Sequence, residues 1–86
     1  MGLDSVELAW DVEAAFGVEL PPAELALART VGDLHATVLR ALEISPGTPA
    51  AVEAWDRLVE AIVESTGVSA SRITPAARIV ADLGVD

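Results

Sequence analysis

The stretch that decides the fold is LVEAIVESTG, residues 58–67. With Trp55 before it, its apolar residues recur at spacings of three and four, which is typical of the buried face of an amphipathic helix. The pattern predicts a helix from Ala51 to Thr66. Gly67 directly follows, and a glycine at this position commonly ends a helix in the left-handed conformation.

Working outward, the segment from Leu3 to Phe16 predicts a second amphipathic helix. Its apolar positions are Leu3, Val6, Leu8, Ala9, Val12 and Phe16. Gly17 is predicted to end it, and the two prolines that follow delay the next helix until a short one can run from Pro22 to Leu27. Thr30 is a typical N-cap residue, so a further helix is predicted after it, with Val31, Leu34, Val38 and Leu42 on one face.

The remaining segments lack helical periodicity. Residues 43–50 contain Pro46, Gly47 and Pro49 and predict a linker. The tail from Val68 to Asp86 predicts a structured loop with one short turn near residues 76–80. No segment alternates with period two over strand length, so we expect no sheet. The chain is therefore predicted to be one all-α domain, residues 1–86, built as a four-helix bundle.

Composition limits the classes of function. The 86 residues include no cysteine and one histidine, and 14 acidic residues against five basic ones give a net charge of −9. Such a charge repels nucleic acid and anionic membranes and favours basic protein surfaces as partners; the alternative is that it only maintains solubility. No apolar run is long enough to span a bilayer, so we expect a cytoplasmic protein.

Two groups of residues carry a family resemblance. Segment 58–68, followed by Ile73-Thr74-Pro75 and by ADLGVD at residues 81–86, resembles the first helix and long first loop of acyl and peptidyl carrier proteins. Residues 3–21 look like the second helix of that family, and residues 30–34 resemble the start of its last helix. The resemblance implies a circularly permuted carrier fold. Family helices 2 to 4 would occupy residues 1–42, and helix 1 with its loop residues 51–86.

The resemblance also raises the question of the attachment serine. In that family the DLGxD segment leads into the serine that carries 4′-phosphopantetheine. A gapless match places Gly2 at that position, and glycine has no nucleophile; the chain would then be an interaction module without the cofactor. The alternative takes Gly2-Leu3-Asp4-Ser5-Val6 as the attachment motif, with Ser5 modified in a working carrier of acyl or aminoacyl groups.

The first helix is the predicted partner-binding element. The predicted contact residues are Asp4, Glu7, Trp10, Asp11 and Glu13. In the family the equivalent helix docks on basic surfaces of synthases and transferases; the alternative is an ordinary solvated face. We expect no catalysis and no metal site, and either a monomer or a dimer whose halves are swapped. The permuted order has either a natural or a laboratory origin.

Other residues have structural interpretations. Trp55 is expected at the edge of the core, His35 as a partly exposed packing residue, and Asp82 as a brace for the loop. Leu25, Ala28, Val31, Leu34, Ile62 and Val63 either line a cleft for an acyl chain or form a closed core.

Overall fold

Helices make up the regular structure of residues 5–85, the part of the chain that the computed structural model describes. The elements are α1 (Ser5–Phe16), α2 (Pro22–Leu27), α3 (Val31–Ala41), α4 (Pro49–Thr66) and a 3₁₀ turn at Ala70–Arg72. Over this range there is no strand, and the only β-type pairing is an isolated bridge between Thr30 and Arg78. The predicted all-α class is confirmed.

The start of α3 is fixed by a capping box, as the N-cap prediction at Thr30 required. The Asp33 N–H donates to the Thr30 hydroxyl at 3.1 Å, and the Thr30 N–H donates to the Asp33 carboxylate at 3.2 Å. The Arg29 N–H donates to the same carboxylate at 3.0 Å. These backbone donors, Arg29 first and Thr30 next, lower the pKa of Asp33 below its ordinary value.

The helix ends follow the sequence signals with one correction. Gly17 and Gly67 both have positive φ, 67° and 75°, and the Gly67 N–H donates to the Val63 carbonyl at 2.9 Å. The predicted start of α4 at Ala51 is wrong by two residues. The helix begins at Pro49 because the Thr48 hydroxyl accepts the Ala51 N–H at 3.2 Å and a proline suits the first helical position.

The core forms where α4 packs against α1 and α3 and where the tail folds back on them. Its buried members are Leu8, Val12, Leu20, Val31, Leu34, Val38, Leu58, Ile62, Ile73, Ala77, Ile79, Leu83 and Val85. The predicted stripe of α1 is wrong at Val6, which is 53% exposed. Two residues of helix turn through about 200°, so Val6 lies opposite the buried Leu8. Leu3 lies outside the described residues.

The tail is more ordered than its sequence pattern indicated. Residues 70–72 form the 3₁₀ turn, and turns at 75–76 and 79–83 include most of the predicted turn region. Backbone hydrogen bonds of 2.9 Å tie the tail to the start of α3: Val31 donates to Ala77, Gly32 to Pro75, and Ile79 to Arg29. Five tail residues thereby enter the core.

We predict that Gly32→Ala destabilises the fold. A Cβ at this position would lie 2.8 Å from the Pro75 carbonyl oxygen, so helix and tail would have to separate. We expect a loss of about 1–3 kcal/mol in the free energy of unfolding, measured by urea denaturation.

The sign of the change in the free energy of unfolding makes this test decisive. Glycine-to-alanine substitution within a helix normally stabilises by up to about 1 kcal/mol. A Gly32→Ala variant as stable as the parent or more stable would contradict the close approach of helix and tail. Ala36→Gly, in the same helix, is the reference for the ordinary propensity effect.

Candidate functional site

Two acidic residues of α1, with a tryptophan between them, form an exposed surface. Glu7, Trp10 and Asp11 are all exposed, and spacings of three and four place them side by side on the helix. Trp10 is 64% exposed, which is unusual for so large an apolar side chain. We refer to these three residues as the acidic face.

Asp11 also links two helices. The Ser65 hydroxyl of α4 donates a hydrogen bond to the Asp11 carboxylate. This contact fixes one edge of the acidic face relative to α4, while Asp11 itself remains exposed.

Glu13, the fourth predicted contact residue in the described range, has a structural partner. It is half-buried, and its carboxylate accepts the Leu20 N–H at 2.7 Å. Leu20 is itself buried, so this bond fixes the extended link between α1 and α2. A role for Glu13 in partner binding stays a prediction.

The two candidate positions for phosphopantetheine attachment lie near residue 5, where the described part of the chain begins. Ser5 is the first residue of α1, whereas Gly2 and Asp4 lie outside the described residues. The choice between Gly2 and Ser5 as the attachment position therefore stays open, and so does the predicted contact role of Asp4.

An apolar cleft lies beside the acidic face. It has a volume of about 780 Å³ between α1, α2 and the tail, and we call it the apolar cleft. Its walls include Val6, Trp10, Leu25, Ile79 and Val80. Val6, Trp10 and Val80 are among the exposed large apolar residues, so the cleft opens onto an apolar surface.

The residues predicted to line a cleft for an acyl chain or to form a closed core divide between a cleft and the core; binding of an acyl chain stays a prediction. Leu25, Ala28 and Leu34 line the apolar cleft. Val31 and Ile62 are fully buried in the core instead. Leu34 belongs to both groups, since it is 3% exposed within the core and also lines the cleft.

Three charged side chains line the apolar cleft, and two of them are committed to other contacts. Glu13 accepts the Leu20 N–H, and Arg78 pairs with Asp82 at 3.0 Å between Nη2 and Oδ1. Arg29 is the third. Within residues 5–85 its guanidinium makes no ion pair within 4.0 Å and no hydrogen bond.

Asp82 braces the loop that forms one wall of the cleft, as the sequence predicted. Its carboxylate accepts the Arg78 N–H at 2.7 Å and the Arg78 Nε–H at 3.1 Å. Hydrogen bonds from the guanidinium, and then from this N–H, hold the pKa of Asp82 below its ordinary value.

His35 and Trp55 form a packing contact away from the cleft. Their ring centroids are 5.3 Å apart in an edge-to-face arrangement, and His35 Nε2 lies 3.0 Å from the Ala51 carbonyl oxygen. Both side chains are half-buried, which confirms their predicted packing roles.

The described residues contain neither a candidate metal site nor a membrane-spanning helix. No group of three His, Asp or Glu side chains within residues 5–85 could hold a metal ion. No helix there is long and apolar enough to cross a membrane.

Comparison of the chain with protein-family models, with curated proteins and with solved structures finds no match. The resemblance to carrier proteins therefore rests on the sequence motifs alone, and its functional consequences are proposals. Apart from those motifs, the acidic face and the apolar cleft are the features from which a function can be proposed.

We predict that Asp82→Asn reduces the sensitivity of the fold to acid. A carboxyl whose pKa is lower in the folded state stabilises the fold above its unfolded pKa, near 3.8. That contribution is lost as the pH falls from there through the folded pKa. The parent should lose stability over this window more steeply than the variant, as measured by urea unfolding at a series of pH values.

The matched control is Asp56→Asn on α4. The side chain of Asp56 is exposed and makes no hydrogen bond or ion pair with residues 5–85, so its replacement should leave the slope of stability against pH unchanged. Equal slopes of stability against pH for the parent and Asp82→Asn would show that the contact between Arg78 and Asp82 does not stabilise the fold.

Proposed function

We propose that this chain is a carrier-protein-like interaction module that binds basic protein surfaces through the acidic face of α1. The observation that carries the proposal is the exposure of Trp10 between Glu7 and Asp11. Exposed aromatic residues often supply most of the energy at an interface, and surrounding charges select the partner and speed the encounter. The module acts by binding and not by catalysis.

The charge of the whole chain supports a cationic partner. The net charge of −9 produces a negative field that attracts basic surfaces and repels acidic ones. Synthases and transferases with basic docking surfaces are the proposed partners, and we place the interaction in the cytoplasm.

The permuted carrier order is part of the proposal. Val6 and Trp10 of α1 line the same cleft as residues 79–81 of the tail. The tail therefore lies beside the beginning of α1, as expected if the tail is the family loop that precedes the second helix. We propose that the two halves close within one chain; a swapped dimer would make the same contacts between two chains.

A working carrier is the second candidate function, and the position of Ser5 favours it. Ser5 opens the described part of α1, and the apolar cleft begins at Val6. A helix start favours bound phosphate, and an apolar cleft next to it could shelter an acyl group. In this candidate the Ser5 hydroxyl attacks the pyrophosphate of coenzyme A and gains 4′-phosphopantetheine, while adenosine 3′,5′-bisphosphate leaves.

The docking prediction is tested with a broad-specificity phosphopantetheinyl transferase as the partner. Glu7→Lys places a positive charge against the basic surface and should weaken binding about 10-fold or more, measured by biolayer interferometry. Binding of the parent should also weaken as salt is raised, because exposed charges are screened.

The matched control is Glu53→Lys on α4, which changes the net charge by the same amount at another exposed position. Trp10→Ala is compared with Leu27→Ala, since Leu27 is 77% exposed outside the acidic face. Docking does not occur through α1 if Glu7→Lys weakens binding no more than Glu53→Lys does. The same conclusion follows if Trp10→Ala weakens it no more than Leu27→Ala does.

The attachment question is tested by intact mass. We expect no added mass after incubation with coenzyme A, magnesium and the transferase, since Gly2 offers no hydroxyl. An ordinary carrier domain modified in the same mixture shows that the reagents are active. Addition of phosphopantetheine that disappears in Ser5→Ala would establish the carrier candidate instead.

A further inference from the structure

We propose that the rim of the apolar cleft is a self-complementary surface on which a second copy of this chain docks, forming a dimer with two-fold symmetry. The inference goes beyond the proposed function, because this contact needs no foreign partner. The dimer also differs from a swapped one. Each copy keeps its own fold, and the two copies meet through side chains that are exposed in a single chain.

Exposed apolar side chains are concentrated at this rim. Five large apolar residues of the described range are exposed, and three of them line the cleft. Val6 and Trp10 lie on the α1 side and Val80 on the tail side, and they are 53–64% exposed. A cluster of this kind with charged residues beside it is typical of a protein interface. A second copy that covers it removes the apolar surface of both copies from water.

The two sides of the cleft carry opposite charges. Glu7 is exposed on the α1 side, whereas Arg29 and Arg78 lie where the tail packs against the start of α3. The two arginines are neighbours because the Ile79 N–H donates to the Arg29 carbonyl at 2.9 Å. Arg78 is already paired with Asp82, so Arg29 supplies the cationic contact for a second copy.

Two-fold symmetry brings these opposite charges together. When the axis runs along the cleft, the α1 side of one copy faces the tail side of the other. Glu7 of each copy then meets Arg29 of the second copy, Trp10 meets Val80, and every contact is made twice. An axis across the cleft would set α1 against α1 and place acidic residues face to face, which is unfavourable. The charges therefore select the first arrangement.

The net charge sets the conditions under which this dimer forms. Each chain carries a charge of −9, so two copies repel each other at low salt. The Debye length falls from about 30 Å at 0.01 M salt to about 8 Å at 0.15 M, which screens this long-range repulsion more than the close contacts in the interface. We expect the dimer to strengthen as salt is raised over this range. Docking on a basic partner weakens over the same range, so salt separates the two interactions.

The test measures the mass of the full chain alone by sedimentation velocity. In about 0.15 M salt, the mass should rise from 8.9 kDa toward twice this value as the protein concentration is raised to about 1 mM. Glu7→Arg and Arg29→Glu each bring like charges together at both symmetric contacts, so each should weaken the dimer about 10-fold or more. Glu53→Arg and Arg57→Glu make the same changes of charge on α4 and should have much smaller effects.

A mixture of the two charge-reversed variants tests the pairing itself. Glu7→Arg and Arg29→Glu should associate with each other although neither associates with itself, because both contacts in the mixed dimer again join opposite charges. A purely structural effect of either substitution would persist in the mixture. Circular dichroism verifies that each variant is folded.

The apolar contact is tested with a matched pair of valines. Val80→Ser should weaken the dimer about 10-fold or more, since the lost burial counts twice by symmetry. Val52→Ser on α4, where Val52 is 60% exposed, should leave it unchanged.

The inference is overturned if the chain remains at 8.9 kDa up to this concentration, which would leave the rim to another occupant. It is also overturned if Arg29→Glu acts no more strongly than Arg57→Glu, or if the mixed variants stay monomeric. A dimer that none of the substitutions weakens would be a swapped one or would use another surface. Transferase docking is measured with dilute, monomeric protein, so failure here is distinguishable from failure of the proposed function.

Discussion

Backbone hydrogen bonds between the start of α3 and the tail are the contact on which the other features depend. A helix leaves its first N–H groups without partners inside the helix. Here the Val31 and Gly32 N–H groups donate to carbonyls of the tail, and the Asp33 N–H donates to Thr30. This arrangement requires the tail to lie against α3. It thereby places tail residues in the core and Val80 at the cleft.

The sequence predicted the helices well because their signals are local. Apolar spacing, the capping box at Thr30 and the glycine after α4 each act within a few residues, and the structure confirms them. The tail was predicted only as a structured loop with one short turn. Its order comes from hydrogen bonds with residues more than forty positions away, such as the one that the Gly32 N–H donates to the Pro75 carbonyl, and no local pattern reports such a pairing.

The candidate site was predictable to a smaller extent. Trp10 was expected beside the core stripe of α1, and it is exposed there. Arg29 carried no local signal, because its position at the cleft depends on how the tail packs against the start of α3. The Arg78–Asp82 pair has the spacing of an ion pair on a helix, yet it closes a turn, so spacing alone would have assigned it to the wrong kind of element.

Trp10 connects the two candidate functions. It belongs to the acidic face and also lines the apolar cleft, so an acyl group held in the cleft of a working carrier and a docked partner would contact the same ring. When two ligands share a contact, each changes the affinity of the other by the same factor. A chain in the cleft that covers Trp10 therefore competes with partners that use the ring as an anchor. Partners that rely on Glu7 and Asp11 alone would bind whether the cleft is empty or filled.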